Sequence, residues 1–236
     1  MLWDDPELEV VELTSSRRAL ALAFGRRGSL SDRLRDGLDQ ARFDLLEVDD
    51  LQACLDNIAA RKPDVLLHDL VVSNAISDFR EQVDRSRATE TLPVLPIMSR
   101  GEACPNALSL TPASNDGEIF LKLRALLRRE RPSALSGRRE SGCFQLDESG
   151  FKMHFQDLSA ELSKTELCVL GPFFDLKTSR IDRQSLESLA FANNGWRTGS
   201  RSIDFHVIRM RKRVKAQIGI DPLCAIRGFG YALADG

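Results

Sequence analysis

Between residues 18 and 130 the chain alternates short apolar runs with amphipathic stretches of helical period. That alternation narrows the architecture more than any other feature. The strand-like runs are Arg18–Phe24, Phe43–Asp49, "DVLLHD" ending at Asp69, Leu92–Met98 and Ala107–Leu110. Between them lie helical stretches. "GRRGSLSDRLRDGLDQ" has Ser29 or Ser31 as N-cap and Leu30, Leu34 and Leu38 on one face. Leu51–Lys62 carries a stripe of Leu51, Cys54, Leu55 and Ile58, "AISDFREQVDRSR" follows the third strand, and Asp116–Glu130 closes the series. Strands and helices of these lengths in alternation imply a parallel sheet covered by helices on both faces. Five strands fit a flavodoxin-like, doubly wound α/β domain. Ligands of such sheets sit at the carboxyl ends of the strands, where Asp69 falls.

The pattern breaks at "RERPSALSGRRESG", rich in Ser, Gly, Arg and Pro and poor in large apolar residues, which is linker composition. The expected division is an extension over 1–17, an α/β domain over 18–130, a linker over 131–142 and a second domain over 143–236. In the last, "CFQLDESGFKMHFQ" alternates around a Gly turn as a small antiparallel sheet would. "LSKTELCVLGPFFDL" opens with Ser163 and Glu166 spaced as a capping box. Pro172 inside that helix predicts a kink or an early stop. "DRQSLESLAFAN" is a second helix capped by Asp182. "RSIDFHVIRMRKRVKAQ" is a third, with Ile203, Val207, Met210 and Val214 on one face. "LCAIRGFGYAL" reads as two short strands around a glycine-containing turn.

Charge is concentrated rather than abundant. The 236 residues carry a net charge of −2, which signals no polyanionic partner for the chain as a whole. Yet Arg197–Lys215 holds Arg197, Arg201, Arg209, Arg211, Lys212, Arg213 and Lys215 against the single acid Asp204. On a helix Ser202, His206 and Arg209, with Arg213 a turn further, share nearly one face. Such a face neutralises phosphates and offers an arginine fork to guanine in a major groove; a solvated, salt-bridged face is the plainer alternative. The scattered cysteines Cys54, Cys104, Cys143, Cys168 and Cys224 have no metal spacing, so reduced cytosolic thiols and no metal are expected. A signal peptide and a run long enough to span a membrane are both lacking, giving a cytoplasmic, non-membrane expectation. No nucleophile, base and orienter set marks an enzyme.

Three helices followed by a glycine-containing hairpin describe a winged helix-turn-helix. "LSKTELCVL", "RSIDFHVIRMRKRV" and "AIRGFGYAL" together resemble the effector domain of OmpR/PhoB-family response regulators, a resemblance covering Cys143–Ala234. It implies a transcription regulator acting as a homodimer on promoter DNA. Carried over, Arg201 and His206 match phosphate-contacting positions, Arg209 the main base-reading position, and Arg211 and Arg213 backbone contacts. Arg227 and the Gly228 amide would hold the wing on phosphate. Trp196 resembles an aromatic packed beside the backbone, a core-edge tryptophan being the alternative. The loop Asn193–Gly199 stands where the family faces RNA polymerase. The chain departs from the pattern at Ala232, often a cation, and at Ile208, often basic. Ile208 either touches a thymine methyl or packs.

With such an effector, the α/β domain resembles a receiver of a two-component system. Phosphotransfer needs two acids for Mg²⁺ after the first strand, an acceptor Asp, a hydroxyl and a lysine. Asp69 holds the acceptor position and Ser99 the hydroxyl position. With Arg18–Phe24 as first strand the acid pair is replaced by Gly25 and Arg26, with Arg27 beside them. The alternative first strand, Leu8–Thr14, supplies Glu12 alone. The lysine position reads Thr111-Pro112, and too few residues separate Ser99 from the fifth strand for a usual fourth helix. The expectation is a degenerate receiver in which Asp69 is structural, paired with Arg26 or Arg27, and no cofactor is held. "IFLKLRALL" is the expected contact surface for a second copy or a partner, a core stripe being the alternative. "GRRGS" lacks the spacing of a phosphate-binding loop. Two other functions stay open: a phosphorylation switch at Asp69, and a winged helix turned to protein partners.

Overall fold

The computed structural model describes residues 18–25, 30–69, 92–98, 108–111, 114–135, 137–176, 180–191 and 203–234. Two compact units result, divided between Ala134 and Leu135. The expected helix after the third strand and the 1–17 extension lie outside the described residues.

In the first unit, strands β1 (Ala19–Phe24), β2 (Phe43–Val48), β3 (Val65–Asp69) and β4 (Val94–Ile97) form one parallel sheet in the order β2-β1-β3-β4. The expected fifth strand is reduced to a parallel bridge between Ile97 and Leu110. It is closed by Met98 N–H to Leu110 O and Leu110 N–H to Pro96 O, both 2.8 Å. Pairing stops there because Thr111 N–H turns to the Ser114 hydroxyl at 3.0 Å instead of continuing a ladder. This order is the doubly wound arrangement anticipated from the alternation. Arg18–Phe24 supplies the first strand, with β1 between β2 and β3.

Helix α1 (Asp32–Gln40) is capped by Ser31, whose hydroxyl accepts the Leu34 N–H at 3.2 Å. Leu34 and Leu38 are fully buried, as the spacing requires. Helix α2 (Leu51–Arg61) buries Cys54 and Ile58 against Leu22, Leu66 and Leu92, with Leu51 and Leu55 at the rim. Burial pushes the Cys54 thiol up to about 12, so it stays a protonated apolar filler. Helix α3 (Asp116–Glu130) starts on Asn115 and is buried on every side, including Ile119, Leu121, Leu123, Leu126 and Arg128. That burial favours the second of the two readings of "IFLKLRALL", a core stripe, over a contact surface.

The second unit begins earlier than its composition indicates. Arg138–Ser141, inside the expected linker, is strand β5 of an antiparallel meander with β6 (Phe144–Asp147), β7 (Lys152–Phe155) and β8 (Leu158–Glu161). Its arginines read as solvated, yet Arg139 is buried, donates to Phe174 O at 3.1 and 3.0 Å and lies 3.5 Å from the buried Asp175. Helix α4 (Lys164–Asp175) runs through Pro172 without a break. Leu167, Val169, Leu170, Phe173 and Phe174 are fully buried on both sides of the proline, so core packing overrides the lost hydrogen bond. Strand β9 (Arg180–Asp182), helix α5 (Arg183–Phe191), helix α6 (Ile203–Ile218) and the hairpin β10 (Leu223–Ile226) and β11 (Gly230–Leu233) complete a winged helix. Three-residue β9, unmarked in the sequence, pairs with β11 and ties the wing to the start of α5. Gly230 makes that crossing possible, since a Cβ there would stand 2.1 Å from Ile181 O.

Candidate nucleic-acid interface

Helix α6 has two unlike sides. Ile203, Val207, Met210, Val214 and Ile218 form the buried stripe, the first four being the ones anticipated. At about 100° per residue the opposite side carries Phe205, Arg209 and Lys212, with Ile208 beside them. Phe205 is 44% and Ile208 62% exposed. Arg209 lies over the Phe205 ring, its guanidinium carbon 5.5 Å from the centroid. The outermost stripe is therefore half apolar. Phe205, which no charge or spacing signal marks in the sequence, stands at its centre with Arg209.

Several expected contact residues lie on the flanks of α6 instead. Arg213 turns toward α4 and forms a two-pronged ion pair with Glu166, Nε to Oε1 at 2.8 Å, while its other nitrogen also reaches Glu161 O at 2.6 Å. Glu166 is simultaneously the capping-box acid of α4, accepting the Ser163 N–H at 2.8 Å and its hydroxyl at 2.6 Å. Burial works against its ionisation, but these bonds prevail and hold its pKa below the usual carboxylate value. On the other flank Arg211 grips Asp221 with two bonds of 2.8 Å, which lowers the Asp221 pKa. The two arginines thus fasten α6 at its sides in the free protein.

His206 sits on the α4 flank, 5.0 Å from the Phe191 ring. With Thr165, Val169, Arg209 and Met210 it lines a concavity of about 460 Å³ between α4 and α6. Burial, then the nearby Arg209 charge, push its pKa below the ordinary histidine value. His206, Arg209 and Arg213 all line that concavity, in keeping with the single face expected of them; Arg209 also reaches the outer stripe through Phe205.

The acid Asp204, a lone negative charge in the sequence, proves to be a junction. It accepts from Arg183 Nε at 3.1 Å and from the Tyr231 hydroxyl. Arg183 also lies over the Tyr231 ring at 5.3 Å. The start of α5, the start of α6 and the wing strand are joined there. Burial, then the bond to Asp204, push the Tyr231 hydroxyl up to about 12, keeping it a donor. Its partner is 27 residues away, a separation no local pattern reveals. At the wing tip Arg227, Gly228 and Phe229 are exposed, and Gly228 adopts a left-handed φ of 75° suited to glycine. Ala232 is buried at 8% exposure in β11. Trp196, Arg201, Ser202 and the Asn193–Gly199 loop lie outside the described residues.

At the strand ends of the first unit only a few of the expected site residues are described. Gly25 follows β1, and its N–H bonds to Val48 O at 3.1 Å. Asp69 is the last residue of β3, in register with Ile97. His68 beside it is fully buried and stacked on Phe24 with centroids 5.7 Å apart. The Thr111 hydroxyl is 3.3 Å from that of Ser114, in a turn that precedes α3. Arg26, Arg27 and Ser99 fall outside the described residues. Among the described residues no three His, Cys, Asp or Glu side chains gather as a metal site would require, and no helix is long and apolar enough to cross a membrane.

No protein-family model matches the chain. It is similar over most of its length to transcriptional regulators. The phosphate regulon transcriptional regulatory protein PhoB of Rhizobium meliloti is 25% identical over 217 residues, covering 87% of this chain and 94% of that protein. The transcriptional regulatory protein CseB of Streptomyces avermitilis is 26% identical over 238 aligned positions, covering 92% of each. The solved chemotaxis response regulator CheY4 of Vibrio cholerae aligns with 47% of this chain and 100% of its own at 16% identity, with a TM-score of 0.38.

Proposed function

We propose that this chain, a homologue of the PhoB and CseB transcriptional regulators of the OmpR/PhoB family, binds double-stranded promoter DNA through α6 and acts without phosphorylation of Asp69. The observation that carries the reading is the build of α6. One stripe is core, two flanks are fastened by Arg213–Glu166 and Arg211–Asp221, and the remaining stripe presents Arg209 outward. A helix so held enters a major groove as a rigid body, with little ordering left to do on binding. Arg209 is the base reader, forking onto guanine. His206, Arg227 and the Gly228 amide supply phosphate contacts, and Arg211 and Arg213 chiefly aim the helix. A homodimer on paired half-sites, with RNA polymerase engaged near the wing domain, belongs to the same reading.

Independence from phosphorylation is supported by the residues at the ends of β1 and of the fifth-strand segment. Gly25 stands where a metal-binding acid is needed, and Thr111 where a lysine is needed to balance the phosphoryl charge. The test uses the purified full chain and a random-sequence duplex library, with and without Mg²⁺ and a small acyl phosphate. Selection of the same sites at the same affinity in both conditions is expected, with affinity falling steeply as salt is raised. Labelling of Asp69 accompanied by tighter binding would overturn the independence. Absence of salt-dependent, site-selective binding would overturn the DNA reading itself.

A further inference from the structure

The outer stripe of α6 pairs a cation with two bare apolar side chains, which is unusual for a surface opposed to a polyanion. Phe205 and Ile208 are 44% and 62% exposed. They are three residues apart, hence neighbours on one face and separated by about 4.5 Å along the axis. That spacing is comparable to a base-pair step of about 3.4 Å. Phe205 also carries the Arg209 guanidinium over its ring at 5.5 Å, which fixes where the arginine fork stands relative to the apolar pair. The stripe bears the cations Arg209 and Lys212, while the helix's acid, Asp204, is held by Arg183 and Tyr231. Charge complementarity thus selects a nucleic acid over an apolar protein face as the occupant.

In a major groove the apolar feature available to such side chains is the C5-methyl group of thymine. Resting on the DNA-binding reading above, we infer that Phe205 and Ile208 form a methyl-reading step next to Arg209. The recognised half-site is then a guanine with thymines at the adjoining positions, discriminated by their methyl groups. Uracil in place of those thymines weakens binding, and 5-methylcytosine substitutes better than cytosine.

The test takes the duplex selected by the full-length wild-type chain and replaces its thymines with deoxyuridine one at a time. The expected result is a loss of about fourfold at each methyl-reading position, the ratio corresponding to about 0.8 kcal/mol per buried methyl-sized group. The loss at one of those positions should vanish in Ile208→Ala and at a neighbouring one in Phe205→Ala. Both side chains are exposed, so the variants retain the core. If the wild type binds its site selectively and loses that selectivity with Arg209→Ala, but uracil changes nothing at any position, methyl reading is wrong and the DNA-binding reading stands. If no site-selective binding exists at all, both fall together.

Discussion

At the carboxyl ends of β1 and β3, and on the outer face of α6, an apolar frame presents the few side chains that would meet a phosphate. The frames are equally complete. Leu22, Leu66, Leu67 and Leu95 are fully buried in the first unit, and Val207, Met210 and Val214 in the second. The side chains they present differ. After β1 comes Gly25, and the hydroxyl of Thr111 sits beside Ser114. On α6, Asp204, Arg211 and Arg213 each have a partner on another element, and Arg209 is left facing outward. A doubly wound sheet persists on apolar periodicity alone, whatever its acids become. On α6 the partners set where each cation points, since Arg211 and Arg213 are part-exposed and held by Asp221 and Glu166. Under the proposed function the first unit serves as a scaffold and the second as the DNA reader.

That contrast is broken most severely at the wing. Gly230→Val places side-chain atoms against Ile181 O and the Asp182 backbone. It should cost about 3 kcal/mol or more, at the upper end of overpacking, and abolish DNA binding. Thermal unfolding and a DNA titration read both effects. A fully stable Gly230→Val would show that the β9–β11 crossing does not hold the wing. Arg209→Ala comes next: site selectivity should drop about tenfold to a hundredfold, for a loss of about 1–3 kcal/mol of base discrimination. Core stability should not change, and the loss should be measured against a scrambled duplex.

Glu166→Gln is expected to cost about 1 kcal/mol, since it removes the Arg213 pair from a partly exposed site and weakens the α4 cap. It also alters the acid limb of stability. Glu166 and Asp221 have folded pKa values below their unfolded ones, so their contribution is present above the ordinary carboxylate range and lost as pH falls through the depressed values. The variant should flatten that fall in an acid titration. Smaller still is the effect of His206. Its folded pKa is depressed, so the unfolded chain takes up its proton first and stability declines as pH drops below about 6.5. A DNA phosphate beside the ring favours the protonated form, so binding takes up protons and affinity rises modestly from pH 7 to pH 6. His206→Gln should remove that rise.

Periodicity revealed the buried stripe of α6 and the strands of the parallel sheet, because both depend on apolar spacing within one segment. It also revealed the Ser163–Glu166 cap, a local signal. It could not say which cations face outward. That depends on Glu166 and Arg213, 47 residues apart, and on Asp204 and Tyr231, 27 apart. Strand β9 is too short to carry an alternation, and β5 hid among arginines whose partners, Phe174 and Asp175, lie in another helix. Pro172 did not stop the helix, because the local rule met a helix whose second half is buried on both sides of the proline.

The proposed function requires α6 to find its sites while Asp69 is idle. Genome-wide crosslinking in the native cell, comparing wild type with Asp69→Ala and Arg209→Ala, tests it most directly. Wild type and Asp69→Ala should occupy the same sites, and Arg209→Ala none. Loss of those sites in a folded, normally abundant Asp69→Ala protein would contradict it.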